Sequence, residues 1–225
     1  MRYLGLALFA EGITDHHFLA PILRRLTTDL CMQLAHEMVE IGEVLELHSP
    51  AQHRDEDRAT RILEAARAAR GAYTILFIHT DGASDPDSAR RERVEPAAQR
   101  IANELMQQQE QTVAVVPVRE TEAWSLVDGD ALRGAFGTVL DDSRLGVPGR
   151  PREVERIPDP KQTLRQAFMR VIGTRRLKKK KAEAFLDVIG ERVQLEHLRE
   201  VPAFQRLEQD LRAALLDLGY FRQEI

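Results

Sequence analysis

Two nearly unbroken apolar runs constrain the fold more than any other feature of this chain: Tyr3–Ala10 (YLGLALFA) and Tyr73–Ile78 (YTILFI). A run that is apolar at successive positions, yet too short for a buried helix, describes a strand covered on both faces. That is the habit of parallel sheets sandwiched between helices. Thr112–Val118 (TVAVVPV) has the same character, with Pro117 marking its end or a sheet edge. Val39–His48 reads as a weaker fourth strand. Helical segments lie between them. One starts at Thr14 or Asp15, either of which can cap it, and runs to about Met38. The others are Asp55–Arg70, with Gly71 at its C-terminal cap, and about Arg93–Gln109. The alternation β-α-β-α-β-α-β predicts an α/β fold with an open, mostly parallel sheet and helices on both faces.

The pattern changes after Trp124. Residues 138–160, with Gly146, Pro148, Gly149, Pro151, Pro158 and Pro160, read as a long loop. Helical segments near 161–172, 176–190 and 203–218 follow. The expected division is an α/β core over 1–137 and a loop-and-helix extension over 138–225, packed on that core.

Acidic residues fall just beyond the strand-like runs. Glu11 follows the first, with Asp15 one helical turn later. Asp81 follows YTILFI, with Asp85 and Asp87 downstream, and Glu120 and Glu122 follow TVAVVPV. In a parallel sheet these positions share one rim, where ligands of open α/β sheets bind. Carboxylates gathered without a cation repel one another, and a Mg²⁺ or Mn²⁺ ion held by oxygen ligands removes that cost. Taken singly, each acid is more readily a helix cap or turn residue, and Asp85 and Asp87 flank Pro86 as turn residues do.

A net charge of −4 gives no general attraction to nucleic acid, so any such contact must come from a local patch. The strongest patch is RRLKKKK, in which Arg175, Arg176, Lys178, Lys179, Lys180 and Lys181 can track a phosphate backbone or simply solvate a helix. A single cysteine, Cys31, excludes an internal disulfide or a Cys-based zinc site. No stretch approaches the roughly 18–20 apolar residues of a membrane span, and the N-terminal run reads as a strand rather than a signal peptide. No membrane partner is expected, and the cytoplasm is the expected location. P-loop, dinucleotide-binding and nucleophile-elbow motifs are absent from the sequence.

At these acids the sequence resembles the Toprim family, the fold shared by topoisomerases, bacterial primases and the nucleases named for overcoming lysogenization defect (OLD). E-G-x-T-D, Glu11 to Asp15, resembles the first Toprim motif, and His79 to Asp81 stands in the place of the family's D-x-D. The likeness is greatest to small stand-alone Toprim-like proteins often encoded beside AAA-type ATPases. It extends to the segment Arg119 to Trp124, to Asp159-Pro160-Lys161, and to Pro202 to Leu207. The resemblance implies a Mg²⁺- or Mn²⁺-dependent nuclease acting on nucleic acid, DNA rather than RNA, with an AAA-type ATPase as partner and a role in antiviral defence. It implies Glu11, Asp15, Asp81 and Glu122 as metal-binding or water-positioning acids, with Glu120 as a further candidate and Lys161 near the scissile phosphate; Asp85 is a candidate ligand by its place after the YTILFI run. The pattern departs at His79, where an aspartate is expected, because histidine suits Mg²⁺ poorly. The alternative is a non-catalytic module on the same scaffold that binds nucleic acid or the ATPase.

Overall fold

A computed structural model describes residues 1–105, 110–172 and 181–221. Four strands form one all-parallel sheet in the order β2-β1-β3-β4: β1 (Arg2–Phe9), β2 (Val39–Leu47), β3 (Ile75–His79) and β4 (Gln111–Val115). The helices are α1 (Ile13–Leu34), α2 (Arg58–Ala68), α3 (Pro86–Ala89), α4 (Glu95–Glu104), α5 (Glu122–Ser125), α6 (Gly129–Phe136), α7 (Asp142–Leu145), α8 (Pro160–Ile172), α9 (Leu186–Arg192), α10 (Leu195–Leu198) and α11 (Pro202–Asp217). A π-helical turn, Arg90–Val94, joins α3 to α4.

The apolar runs are strands because each alternate residue meets a different helical layer. Leu4, Leu6 and Leu8 of β1, Ile75 and Phe77 of β3, and Val113 and Val115 of β4 face α1 and the C-terminal helices. Ala7 and Phe9, Leu76 and Ile78, and Ala114 face the opposite layer, with Ile62 and Leu63 of α2 and Ala97 and Ile101 of α4. The helices after residue 138 complete the first layer within one continuous apolar cluster. There Trp124, fully buried, meets Phe204 of α11 edge to face at 5.3 Å, worth roughly 0.5–1.5 kcal/mol beyond area burial. At Gly190 of α9 a side chain would lie 2.4 Å from the Phe18 carbonyl oxygen of α1, so only glycine permits this helix contact. Arg25 of α1 closes it by donating to the carbonyls of Gly190 and Val193 at 2.9 and 2.8 Å.

Several boundaries differ from the sequence reading. The first helix begins at Ile13 rather than at Thr14 or Asp15 and stops at Leu34 rather than near Met38, because Ala35 forms an antiparallel bridge with Phe221. Before the helix expected from about Arg93, the chain already forms α3, which starts at Pro86, a residue suited to a helix's first turn. Residues 138–160 are not one long loop. They contain α7 and a 3₁₀ helix, Pro151–Arg156. The helix expected near 176–190 is, over its described part, a 3₁₀ turn, Ala182–Phe185, followed by α9.

Candidate functional site

Topology sets the position of the site. From β1 the chain crosses to β2 on one side, then to β3 on the other, so the sheet's switch point lies between the carboxyl ends of β1 and β3. The crevice outside such a point is where open α/β sheets bind ligands. Glu11 follows β1 there, and His79 and Asp81 lie at and just beyond the end of β3. Two loops extend the rim side by side. Thr80 N donates to Val115 O, Gly82 N to Pro117 O and Ala83 N to Arg119 O, carrying the β3–β4 pairing past the strands. This contact brings residues 79–83 beside residues 115–122. Ala83 and Arg119, with φ of 50° and 65°, both hold left-handed backbone in these loops, a conformation that costs a non-glycine residue energy and is frequent at functional sites.

Asp15, His79 and Asp81 each offer a ligand atom, and these atoms lie within 4.8 Å of one another. Asp15 sits in the first turn of α1, where its Oδ2 accepts the Gly12 N–H at 3.0 Å. His79 is fully buried. Its Nε2 lies 3.0 Å from Thr121 Oγ1 and 3.5 Å from Asp81 Oδ1. Glu122, 4% exposed, opens α5, and its Oε1 lies 3.7 Å from Lys161 Nζ. Burial holds the Glu122 carboxyl above the ordinary carboxylate range. Its own backbone amide and Lys161 pull it down, while Asp15 and Glu120 add to the rise. Lys161 is aimed from the first turn of α8, which Asp159 caps by accepting from Gln162 N at 2.7 Å with Pro160 next in the chain.

Glu11 sits in a different setting. Its Oε1 accepts from Thr80 Oγ1 at 2.7 Å and from Arg93 Nη1 at 3.1 Å, and lies 3.4 Å from Arg58 Nη1. Glu11 is therefore ion-paired, outside the Asp15–His79–Asp81 group, with all three contacts on one oxygen. Asp85 is the exposed N-cap of α3, accepting from Ser88 N at 2.9 Å, and is likewise outside that group. Glu120 Oε2 is buried without a hydrogen-bond partner among the described residues. Of the basic run, Lys181 is exposed, whereas Arg175, Arg176, Lys178, Lys179 and Lys180 lie outside the described residues.

The donors fit a divalent cation. Two carboxylates and an imidazole nitrogen converge, and Asp81 Oδ1 is buried with no hydrogen-bond partner among the described residues. A nitrogen in the set suits Mg²⁺ poorly, and Mn²⁺, a transition-metal ion that binds imidazole more readily, fits it better. In the sequence reading His79 stood only as a departure. Its ligand position follows from its place at the end of β3 with the ring directed at Asp81. Arg58 and Arg93 gave no sequence signal, because their approach to Glu11 depends on how α2 and the π-helical turn pack.

The family model described as a domain of unknown function (DUF4276) matches residues 10–212. The chain belongs to this family. The match to DUF4276 takes in every acid of the rim and Lys161, and ends within α11. Comparison with curated proteins and with solved structures gave no match. Among the described residues, no helix is long and apolar enough to cross a membrane.

Proposed function

We propose that this DUF4276 protein is a metal-dependent hydrolase of nucleic-acid phosphodiesters, working in the cytoplasm. The observation that carries the reading is the Asp15–His79–Asp81 group at the sheet's switch point, with the Glu122–Lys161 pair beside it. Asp15, Asp81 and His79 would hold the ion, with Mn²⁺ preferred to Mg²⁺. A divalent ion in such a site supplies a Lewis acid that polarises a phosphoryl oxygen and acidifies a water. Glu122, its proton affinity raised by burial, is the residue suited to take a proton from the attacking water at Oε1 or Oε2. The Lys161 ammonium places fixed positive charge where the non-bridging oxygens gain negative charge. Association with an AAA-type ATPase and a role in antiviral defence rest on the Toprim resemblance alone.

The test joins binding to turnover. Calorimetric titration with Mn²⁺ should show uptake that Asp81→Asn removes. Cleavage of single- and double-stranded DNA should require Mn²⁺ and disappear in Asp15→Asn and Asp81→Asn while thermal unfolding stays cooperative. A wild type that takes up no Mn²⁺, or an Asp15→Asn/Asp81→Asn double variant that cleaves undiminished, would defeat the reading. The pairing of Glu11 with two arginines favours a second reading, a non-catalytic module that binds nucleic acid on this rim. DNA binding with no cleavage at any divalent ion would select it.

A further inference from the structure

A cleft with a volume of about 630 Å³ opens next to the acidic group, at the carboxyl ends of β1 and β2. Three guanidinium groups line it: Arg58 and Arg61 from the first turns of α2, and Arg93 from the π-helical turn. Phe9 and Leu47 contribute apolar wall. Arg58 is fixed. Its Nη2 donates to the His79 carbonyl at 2.6 Å, and its Nη1 lies 3.4 Å from Glu11. Arg93 is 52% exposed and reaches Glu11 through Nη1. Arg61 has its Nε shielded from water with no hydrogen-bond partner among the described residues. The carboxylates of the cleft are Glu11 and Glu92, and Glu92 is engaged by Ser88 Oγ at 2.8 Å. Three planar donor forks thus face fewer acceptors than they can satisfy. The oxygens of a phosphate match such forks two at a time.

We infer that this cleft seats a phosphate of the substrate strand beside the acidic group, with Arg61 and Arg93 as its contacts and Arg58 as its fixed wall. The inference takes its substrate class from the proposed function, but its chemistry needs no metal. It also accounts for Glu11, which holds the Arg58 and Arg93 guanidinium groups in place through Oε1.

Fluorescence anisotropy with a short single-stranded DNA labelled at one end, with and without a phosphate at the other, tests it in the presence of EDTA, so that no cleavage intervenes. Arg61→Gln and Arg93→Gln should each weaken binding about tenfold, the scale of one charge-assisted hydrogen bond. The double variant should lower the log–log salt slope by about 1.4, at about 0.7 per single-strand phosphate contact. Arg61→Lys should keep the slope and lose part of the affinity, because an ammonium lacks the planar fork. Arg93 is exposed enough that its replacement leaves folding intact, so its result stands even where Arg61→Gln unfolds. Equal losses with both DNAs place an internal phosphodiester in the cleft, and losses confined to the phosphorylated DNA place a terminal phosphate there. Unchanged affinity and slope in Arg93→Gln and Arg61→Lys would overturn the inference. Normal DNA binding by these variants alongside Mn²⁺ uptake and cleavage by the wild type would remove the cleft and leave the metal reading standing. Arginine-dependent DNA binding by a wild type that takes up no Mn²⁺ would do the reverse.

Discussion

Glu122 is held above the usual carboxylate range first by burial. A carboxyl whose folded-state pKa is raised contributes stability that is present below its unfolded value, about 4.3, and lost as pH rises through the folded value. Glu122→Gln is therefore expected to raise the Tm of the metal-free protein at neutral pH, with the gain fading below about pH 4.3. Thermal unfolding across pH checks this, and a lower Tm at neutral pH would mean that the Lys161 pairing outweighs burial. The same substitution should abolish turnover, the usual exchange of stability for function at an active site. Lys161→Met should lower the cleavage rate by about 10²–10³-fold, as loss of a preorganised charge-stabilising group does, with a smaller change in DNA affinity. A loss confined to affinity would make Lys161 a binding contact. Cys31 belongs to the core instead. Burial pushes its thiol up to about 11, so iodoacetamide should modify it slowly at mildly alkaline pH in the native protein and quickly in urea. Equal rates would reveal opening of the Ala35–Phe221 bridge near which it lies.

At the scale of single elements, the loops after β3 and β4 position the rim. A side chain at Gly82 would lie 2.6 Å from the Pro117 carbonyl oxygen and 3.1 Å from Pro86 Cβ, while Gly82 N donates to that same carbonyl at 2.9 Å. Gly82→Ala is expected to cost about 1–3 kcal/mol, the scale of overpacking, and to weaken Mn²⁺ uptake by pushing Asp81 away from its partners. Denaturant unfolding with parallel calorimetry measures both, and unchanged values would mean that the loops part without consequence. The cap of α2 carries a pH dependence of its own. Hydrogen bonds from the Thr60 side chain and backbone hold Asp57 down to about 2. Its stabilising effect is present above the unfolded value, about 3.9, and is lost as pH falls towards about 2. Asp57→Ala should therefore lower Tm at neutral pH and converge with the wild type in strong acid. Because Arg58 and Arg61 lie in the first turns of this helix, fraying its start should also weaken DNA binding in the arginine-lined cleft.

The whole molecule depends on its C-terminal helices. One face of the sheet, with Leu4, Leu6, Leu8, Phe77 and Val113, is covered by α1 together with elements from beyond residue 138, and Phe204 packs on Trp124. A fragment of residues 1–137 would expose that apolar layer. It should lack cooperative unfolding and bind ANS strongly, whereas the full chain should unfold in one transition. A cooperatively folded fragment would show that α1 alone covers the face. The charge distribution gives the same picture, since Arg199 pairs with Asp29 of α1 and, at 2.8 Å, with Glu208 of α11, joining the N-terminal and C-terminal layers.

The strands were legible in the chain because burial on both faces requires apolar residues at nearly every position, and Tyr3–Ala10 and Tyr73–Ile78 come close to that requirement without reference to any partner. The α/β class and the placement of the acids beyond strand ends followed from the same local pattern. The short helices within 138–160 were hidden because their Pro and Gly residues fit a loop equally well, and only contacts with the core resolve the two. The roles within the site were also out of reach. That Asp15 meets His79 and Asp81, whereas Glu11 is paired with Arg58 and Arg93, depends on strand order at the switch point and on how α2 and the π-helical turn approach β1. Those side chains are separated by tens of residues in sequence. A contact between them is set by three-dimensional packing, which local spacing does not encode.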